Sequence, residues 1–310
     1  MNIDLVYLWV DGNDPKWRAK HDAFIGQMGI GSPENCKGRY NDNDELKYSL
    51  RSIESYAPWI HKIFIITDNQ VPEWLDTSNP KIRIVDHSEI LPPQSLPCFN
   101  SNIIEHFLPR IPDLSEHFLY SNDDTFLNRP VSPSTFYTPE GLPIIRLYRR
   151  RFRRLFLYYR THILKKNLEH YIQAIKNSAD IVHKKYGRYF NSKPHHNIDA
   201  FLKSDYMDTS NIFKEDISST LSNHFRSTND VQRIIYTYAA LAKKRVKLQY
   251  VSQKTSFRFP IHKHELYQEI EKYNPTFFCM NDSQFASDSD RIRAAEYLQH
   301  RFPVKSQFEK

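Results

Sequence analysis

Apolar residues in the first half of the chain fall into short blocks that are separated by segments with helical spacing. Blocks rich in β-branched and aromatic residues predict strands at residues 3–10, 62–67, 81–85 and 117–121. After the first block, Leu46, Leu50 and Ile53 recur at the spacing of one helix face over residues 44–56, and residues 100–108 predict another helix. Strands that alternate with helices are typical of βαβ units, so we predict an α/β fold with a mostly parallel sheet flanked by helices.

The second half of the chain has a more helical pattern. Helices are predicted at residues 164–186, 198–206, 230–243, 264–273 and 289–300, with one strand at residues 246–251. A basic stretch is the clearest change in composition along the chain. We therefore predict one α/β domain made of residues 1–145 and 187–310, with residues 146–186 as a basic, amphipathic helical insertion or subdomain.

Charge is concentrated in one part of the sequence. The chain has 43 Lys and Arg against 36 Asp and Glu, a net charge of +7. Residues 146–166 contain nine of these cations and no acid, which leaves the remainder slightly negative. This distribution favours a local contact with an anionic partner over a general nucleic-acid-binding surface, so no nucleic-acid partner is expected.

Other features of the composition indicate the compartment. No run approaches the roughly 18 apolar residues of a membrane span, and the first residues lack the basic start of a signal peptide. Three cysteines, Cys36, Cys98 and Cys279, are too few for a disulfide framework. Only seven glycines occur, and none forms a phosphate-binding loop with the required spacing. We expect a cytoplasmic protein that would bind phosphate through Arg, Lys or a metal ion.

Acidic residues follow two of the predicted strands. Asp11 and Asp14 come after the first strand, and Asp123 and Asp124 come directly after the fourth. Ligands of parallel sheets bind beyond the carboxyl ends of strands. Two adjacent carboxylates repel each other unless a cation neutralises them, and Mg²⁺ favours such oxygen ligands. The alternative interpretation is that these acids form turns or helix caps.

A second group of polar residues precedes the helix at residues 44–56. Asp44 either caps this helix or has a functional role. Arg39 and Arg51 are either surface charges or clamps on a phosphate group, since guanidinium groups bind phosphate through paired hydrogen bonds.

Two further candidates lie in the second half. His195 and His196 are loop histidines or a general base, because imidazole titrates near neutral pH. Asn281 and Asp282 follow an apolar run and form either a turn or a further part of a metal site. Cys279 is interpreted as a small buried apolar residue.

Taken in order, four blocks of the chain resemble the Stealth family of sugar-1-phosphate transferases. This family includes bacterial capsular and exopolysaccharide phosphotransferases and the catalytic subunit of GlcNAc-1-phosphotransferase. The similar blocks lie within residues 3–15, 39–124, 196–226 and 278–310. They cover most of the chain outside the basic segment, and four such blocks in order are specific.

The resemblance implies a fold and an activity. The fold would be Rossmann-like and similar to the GT-A fold. The activity would be transfer of a hexose or N-acetylhexosamine 1-phosphate from a UDP-sugar to a hydroxyl of a glycan acceptor, with release of UMP, in capsular or exopolysaccharide biosynthesis. Mg²⁺ or Mn²⁺ would be the cofactor.

The resemblance also implies roles for individual residues. Catalytic roles fall to Asp11, Asp44, His196 and Arg226, with His195 as the alternative to His196. Substrate contacts fall to Gly12, Asn13, Asp14, Arg39, Arg51, Asn102 and Asn122. Metal ligands would be Asp123, Asp124, Asn281 and Asp282.

The expected partners are a UDP-sugar donor and a glycan or lipid-linked oligosaccharide acceptor. Residues 146–166 interleave cations with apolar side chains, so we expect them to contact the anionic inner face of the cell membrane, where each basic residue contributes about 1 kcal/mol. Alternatively, they form a solvated basic helix packed on the body. Two other functions remain open, a metal-dependent glycosyltransferase that releases UDP and a non-catalytic adaptor for anionic glycan or lipid.

Overall fold

A central five-stranded sheet organises the molecule. The computed structural model describes residues 1–28 and 40–310 of the chain. The strands of this sheet are β1 (Ile3–Leu8), β2 (Ile63–Thr67), β3 (Ile82–Asp86), β4 (His117–Asn122) and β8 (Asp199–Leu202), in the order β3-β2-β1-β4-β8. Strands β1 to β4 pair in parallel, whereas β8 is antiparallel to β4. The predicted α/β fold with a mostly parallel sheet flanked by helices is confirmed.

Two smaller sheets extend from this core. One has the order β10-β11-β5 and consists of β5 (Thr125–Leu127), β10 (Ser256–Pro260) and β11 (Phe277–Asn281). The other has the order β7-β6-β9 and consists of β6 (Ile144–Tyr148), β7 (Lys193–Pro194) and β9 (Lys247–Tyr250). Only Asp123 and Asp124 separate β4 from β5, so the chain passes from the central sheet to a small sheet at the acidic pair.

Helices cover the sheets and connect their strands. They are α1 (Pro15–Met28), α2 (Glu45–Tyr56), α3 (His87–Ile90), α4 (Ser101–Glu105), α5 (Arg153–Tyr158), α6 (His170–Tyr186), α7 (Lys203–Ile212), α8 (Lys214–Ser218), α9 (Ile234–Ala242), α10 (Tyr267–Tyr273) and α11 (Asp288–Arg301). Within the part of the chain that the structure describes, none of them combines the length and the apolar composition that a bilayer crossing requires.

The two faces of the central sheet bury different sets of side chains. Alternate residues of β1 point in opposite directions, so Val6 packs in one cluster and Leu5 and Tyr7 pack in another. The second cluster also buries Leu46 and Leu50 of α2, as their helical spacing predicts. Burial of each such side chain stabilises the fold by about 1.5–3 kcal/mol, so the apolar pattern holds α2 against the sheet.

Residues 198–206 were predicted as one helix, and that prediction is wrong. They form β8 and the start of α7 instead. Ile198, Ala200 and Leu202 pack on one face of the sheet and Phe201 packs on the other, which is the period of two that a strand requires. Pairing with β4 satisfies the backbone of this segment, and tertiary context therefore overrides its local helical pattern.

The predicted helix at residues 164–186 begins later than expected. A short π-helix covers Tyr159–Ile163, and α6 starts only at His170. Lys165 lies between them with a φ of 51°, a left-handed conformation that a regular helix does not contain.

The proposed basic insertion begins inside a strand. Arg146 belongs to β6, which pairs with β7 and β9. The division of the chain into residues 1–145 with 187–310 and the insertion 146–186 stays a prediction.

Candidate active site

The topology of the central sheet gathers polar residues at one edge. Asp11 follows β1 and the pair Asp123–Asp124 follows β4, and these two parallel strands are neighbours. Because β8 runs antiparallel beside β4, the residues just before β8, including His196, reach the same edge. Parallel strands thus bring the acids together, and the antiparallel strand adds a histidine from a distant part of the sequence.

Asp124 is held by two side chains of β11. Its Oδ2 accepts a hydrogen bond from Asn281 Nδ2 at 2.8 Å and one from the thiol of Cys279 at 3.3 Å. The other end of the Asn281 amide accepts a hydrogen bond from Arg258 of β10. Asp123 Oδ1 accepts a hydrogen bond from the backbone N–H of Asp124 at 3.0 Å. A continuous chain of contacts therefore connects a guanidinium group to the acidic pair.

His196 lies against this acidic pair. Its Nδ1 is buried and has no hydrogen-bond partner within residues 1–28 and 40–310. Its backbone carbonyl accepts a hydrogen bond from Ser256 Oγ at 3.2 Å, which fixes the loop on β10. Burial, followed by the positive charge of Arg258, lowers the pKa of His196 to about 3. The imidazole is therefore neutral at neutral pH.

His195 has different surroundings. Its Nδ1 lies 2.9 Å from Ser256 Oγ and 3.0 Å from the carbonyl of His196. Its ring stacks on Tyr148, with 5.9 Å between the ring centroids. The His195 side chain thus contacts Ser256 and Tyr148, and of the two histidines only His196 shares a candidate ligand group with Asp124.

Further acids crowd this edge from the segment before α2. Burial, with the charges of Asp44 and Asp11, raises the pKa of Asp42 to about 7. Burial and the charge of Asp42 raise the pKa of Glu45 to about 8. The pKa of Asp123 is raised well above its usual range, mainly by burial and then by the charges of Asp124, Glu45 and Asp42. Three carboxyl groups at this edge therefore have raised pKa values, as expected where buried acids lie close to one another.

The loop after β1 is held tightly against the same segment. The N–H of Gly12 donates to the carbonyl of Tyr40 at 2.6 Å, and a Cβ at this position would lie 2.4 Å from that oxygen. Asp11 Oδ1 accepts a hydrogen bond from the N–H of Asn13 at 2.7 Å. Gln70 binds both backbone groups of Asp11. Glycine is thus required by a close backbone approach that holds Asp11 next to Asp42.

Asp14 and Asn122 both have local partners in the structure. Asp14 accepts hydrogen bonds from Gln70 Nε2 and from the N–H of Lys16, each at 2.9 Å, at the start of α1. Asn122 Oδ1 accepts a hydrogen bond from Tyr120 Oη at 3.1 Å. Both residues follow or end a strand at the acidic edge of the sheet, where these contacts orient them.

Asp282 is part of the site's rim but is not paired with Asp124. Its two oxygens accept hydrogen bonds from Arg291 Nε at 2.8 Å and Nη2 at 3.2 Å. Asn43 Nδ2 also lies 3.4 Å from Asp282 Oδ2 and 2.7 Å from Glu45 Oε1. Asp282 therefore adjoins the acids around α2 while its own charge is matched by an arginine.

Several other predicted site residues have structural contacts. Arg51 is only 5 % exposed and forms a two-fold ion pair with Glu309, at 2.8 and 2.7 Å. Asn102 is buried, and its amide donates to Asp230 at 3.0 Å. Asp44 accepts from Lys47 at 2.5 Å. The structure does not bring Arg51 or Asn102 to the acidic edge, and their predicted roles in substrate binding stay untested.

The last two predicted site residues are the arginines Arg226 and Arg39. Arg226 donates to Ser101 Oγ at 3.1 Å, and its charge contributes to the lowered pKa of His196. It therefore lies within electrostatic range of the imidazole. Arg39 lies outside the described residues, as does Cys36.

The sequence pattern missed five residues of this region. They are Asp42, Glu45, Arg233, Arg258 and Cys279. Three acids within residues 42–45 were a visible signal for the first two. The others lie in unremarkable apolar or mixed segments, and only the folded chain brings them near Asp124 and His196.

The donor atoms permit a test of which metal ion would fit. Ligand atoms of Asp124, His196 and Cys279 all lie within 4.8 Å of one another, a set that could hold an ion. A thiol with an imidazole is typical of zinc. However, burial and the charge of Asp124 raise the pKa of Cys279 well above its usual range, and its thiol donates to that carboxylate. A protonated thiol is a poor ligand for zinc. The site therefore fits a hard ion that prefers oxygen ligands, and such a dication would relieve the repulsion between the carboxylates of Asp123 and Asp124.

Comparison with known proteins identifies the family. Residues 1–29 match the family description "Stealth protein CR1, conserved region 1", and residues 39–145 match "Stealth protein CR2, conserved region 2". The chain is 34% identical over 298 residues to the capsular polysaccharide phosphotransferase fcs1 of Haemophilus influenzae, covering 92% of this chain and 79% of that relative. It is also 34% identical over 326 residues to the exopolysaccharide phosphotransferase CpsY of Mycobacterium leprae. That alignment covers 100% of this chain but 57% of the relative, so the chain spans little more than half of that protein.

The solved structures to which the chain is similar include two glycosyltransferases. A galactosyltransferase LgtC in complex with donor and acceptor sugar analogs has a TM-score of 0.46 and 11% identity, covering 98% of this chain and 96% of that one. The glycosyltransferase GlyE of Streptococcus pneumoniae has a TM-score of 0.46 and 12% identity, covering 98% of this chain and 61% of that one. The identity over most of the Haemophilus relative, together with the two matched regions, shows that the chain belongs to the Stealth family and is an enzyme of the transferase class.

Proposed function

We propose that this enzyme transfers a sugar 1-phosphate from a UDP-sugar to a hydroxyl of a glycan acceptor and releases UMP, in the synthesis of a capsular or extracellular polysaccharide. The observation that carries this proposal is the acidic pair Asp123–Asp124 beside the buried His196, with Arg258 connected to Asp124 through Asn281. Phosphoryl transfer needs charge neutralisation on the phosphate oxygens and a positioned proton acceptor. This site has residues for both tasks.

The carboxylates would hold the cofactor. Asp123 and Asp124 would bind Mg²⁺ or Mn²⁺, with Asp42 close to Asp123 and Asp11 close to Asp42, and Asn281 would orient Asp124. When bound, such an ion neutralises charge on the diphosphate and on the leaving group. The crowding of these acids supports the binding of an external cation here.

The chemistry assigns each residue a task. The acceptor oxygen forms a bond to the phosphorus that carries the sugar, and the bond from that phosphorus to the bridging oxygen breaks. UMP departs with the electron pair of the broken bond. The hydroxyl proton passes to the unpartnered Nδ1 of His196 and then to solvent. Arg226 and Arg258 would bind the non-bridging oxygens.

The released nucleotide tests the proposal. The protein is incubated with a panel of UDP-sugars, Mg²⁺ and glycan acceptors, and the nucleotides are separated by ion-exchange chromatography. We expect UMP in an amount equal to the sugar phosphate transferred, no UMP after addition of EDTA, and recovery when Mg²⁺ or Mn²⁺ is restored. Release of UDP would instead identify a glycosyltransferase, and binding of glycan or lipid without any nucleotide release would identify an adaptor.

The segment around α5 supports a second part of the proposal, contact with an anionic membrane surface. Phe152 is 69% exposed and Leu155 is 66% exposed, and only Arg153 and Leu157 of α5 are buried. The other exposed apolar side chains of this segment are Phe156, Tyr158, Tyr159, Ile163 and Leu164. Apolar side chains with interleaved cations are typical of a helix that lies in the headgroup region, whereas a solvated helix packed on the body would expose mainly polar residues.

Vesicle flotation tests this contact. The protein is mixed with vesicles of phosphatidylcholine, with or without phosphatidylglycerol, and we expect binding to the anionic vesicles alone. The triple substitution Phe152→Ser, Leu155→Ser and Phe156→Ser should lower the bound fraction at least tenfold, because it removes three of the seven exposed apolar side chains of this segment. The matched control Phe285→Ser, Ile292→Ser and Val304→Ser alters equally exposed apolar residues elsewhere and should bind like the unmodified protein. Equal binding by both triple variants would contradict the proposal.

A further inference from the structure

Asp230 is a fully buried acid that is surrounded by hydrogen-bond donors. Its Oδ2 accepts from Asn100 Nδ2 at 2.9 Å, from Asn102 Nδ2 at 3.0 Å and from the backbone N–H of Ser227 at 3.0 Å. Its Oδ1 accepts from Asn223 Nδ2 at 2.7 Å. An ionised carboxylate accepts hydrogen bonds and donates none, so these N–H groups are complementary to it. Asp230 is therefore a strong point of attachment for the segments that carry the donors.

These hydrogen bonds fix the backbone on both sides of Arg226. On one side, the carbonyl of Phe225 accepts from Asn100 Nδ2 at 3.1 Å, and the same nitrogen donates to Asp230. On the other side, the N–H of Ser227 donates to Asp230. Arg226 lies between these two fixed residues, so the carboxylate and its amide partner determine where the arginine side chain begins.

The guanidinium end of Arg226 is held by the same part of the fold. Its Nη2 donates to Ser101 Oγ at 3.1 Å. Ser101 stands between Asn100 and Asn102, the two amide side chains that donate to Asp230. The three residues at the start of α4 therefore hold the backbone of the arginine through the carboxylate and its side chain through a hydroxyl.

This arrangement lies beside the candidate active site. The carbonyl of Phe99 accepts from Tyr40 Oη at 3.2 Å, and the carbonyl of Tyr40 accepts from the N–H of Gly12 in the loop after β1. The pKa of His196 is lowered mainly by burial, and the positive charge of Arg226 is among the further causes. The start of α4 and the arginine thus adjoin the edge where the acids and the histidine meet.

We propose that Asp230 is a positioning residue whose carboxylate holds Arg226 where its guanidinium can bind the diphosphate of the donor. This inference rests on the proposed function, which assigns phosphate binding to that arginine. A guanidinium group binds phosphate through paired hydrogen bonds, and these require a defined orientation. A long side chain whose backbone is already fixed also loses less freedom when the ligand binds. Asn102, which the sequence predicted as a substrate contact, then acts through Asp230 and the arginine.

A purely structural role of the acid is the alternative, and the chain offers a matched comparison. Asp4 is also fully buried, and it accepts from the backbone N–H groups of Lys62 at 3.1 Å and Ser115 at 2.7 Å. It lies near the start of β1, at the end of the strand opposite to the acidic edge. Replacement of either acid by asparagine removes a buried carboxylate that holds loops. Of the two, Asp230 alone adjoins the backbone of Arg226.

A double-mutant cycle on ligand binding tests the inference. The probe is UDP with Mg²⁺, and its Kd for the full chain is measured by isothermal titration calorimetry. Asp230→Asn and Arg226→Met should each raise Kd about tenfold, because each weakens a hydrogen-bonded charge interaction. In the Arg226→Met background, Asp230→Asn should change Kd less than twofold, since the group that it positions is already absent. Asp4→Asn should keep Kd within twofold in both backgrounds, even where it lowers the thermal unfolding midpoint as much as Asp230→Asn does.

A milder variant and a turnover measurement support the cycle. Asn102→Ala removes one of the donors to Asp230 and should raise Kd about threefold, again only while Arg226 is present. It decides the question if Asp230→Asn fails to fold. In turnover, kcat/KM for UMP release should fall about tenfold in Asp230→Asn and should not fall further when that substitution is added to Arg226→Met.

The outcomes separate this inference from the proposed function. The inference is overturned by an unchanged Kd in folded Asp230→Asn, by an effect of this substitution that persists in the Arg226→Met background, or by an equal rise in Kd in Asp4→Asn. Absence of UMP release from the unmodified protein would overturn the proposed function, whereas the UDP cycle would still decide whether Asp230 positions Arg226. Absence of UDP binding to the unmodified protein would overturn both.

Discussion

Replacement of Asp124 by asparagine is expected to lower kcat by about 10³-fold while the fold is retained. Asparagine has the same shape, so the turn between β4 and β5 persists. The substitution removes the charge that, with Asp123, would hold the divalent cation, and it replaces an oxygen that accepts from Asn281 and Cys279. The measurement is UMP release at saturating donor, together with Mn²⁺ binding by electron paramagnetic resonance.

A matched control distinguishes this effect from a general loss of charge. Asp113→Asn alters an exposed carboxylate whose partner is Arg83 at 3.3 Å, far from the acidic edge in the fold. This variant should retain kcat within twofold. Unchanged Mn²⁺ binding and less than a tenfold decrease in kcat for Asp124→Asn would contradict the assignment of Asp124. A thermal unfolding midpoint close to that of the unmodified protein excludes misfolding as the cause.

Replacement of Arg233 by methionine is expected to lower the free energy of unfolding by about 3–5 kcal/mol. Arg233 lies 2.7 Å from Asp199 of β8 and 3.4 Å from Glu105 of α4, and its guanidinium covers the ring of Tyr120. The charges of both acids are matched by this one arginine. Without it, the two buried carboxylates lose the guanidinium group that lies beside both of them, and β8 and α4 lose their common connection to α9.

The loss should depend on pH, with a sign that follows from the pKa shifts. Burial raises the pKa of Glu105 and of Asp199, and the charge of Arg233 opposes that rise. Removal of Arg233 therefore raises both pKa values further above those of the unfolded chain. An acid with a raised pKa in the folded state destabilises it increasingly as pH rises from the unfolded value through the folded value. The deficit of the variant should be largest near pH 8 and smaller near pH 5.

Urea unfolding of Arg233→Met and of a surface control measures these effects. Arg83→Met removes an arginine that pairs with Glu89 and Asp113, each at 3.3 Å, on the exposed side of β3. Exposed pairs contribute less than about 1 kcal/mol, so this variant should be nearly as stable as the unmodified protein. Equal losses for the two variants, or a deficit that grows as pH falls, would contradict the explanation.

Prediction from the sequence succeeded where local pattern and long-range packing agree. The apolar block of residues 62–67 became the buried strand β2, and Leu46 and Leu50 became the buried face of α2. It failed at residues 198–206, because pairing with β4 converts an apparently helical stretch into β8. Strand pairing joins segments that are far apart in the chain, and periodicity within one segment does not report it.

The candidate site also contains features that the sequence predicted and features that it did not. That Asp11 and Asp123 would share an edge followed from the sequence, because parallel strands end on the same side of a sheet. The sequence did not predict that Arg51 contacts Glu309 or that Asn102 contacts Asp230, because these partners lie far away along the chain. Residue type alone does not distinguish a phosphate-binding arginine from one that joins α2 to the C-terminal segment.

The sequence by itself determined the central strands, the acids at their carboxyl ends, the concentration of cations in residues 146–166 and the resemblance to a transferase family. Tertiary structure decided that His196 and not His195 faces Asp124, that Arg258 reaches this acid through Asn281, and that the thiol of Cys279 points at the same oxygen. The physical reason is the range of the interactions. Hydrophobic periodicity is a pattern of a few consecutive residues and can be seen in the local sequence. The hydrogen bonds and charge interactions at the site connect residues that are far apart in the sequence, and only the complete fold brings them together.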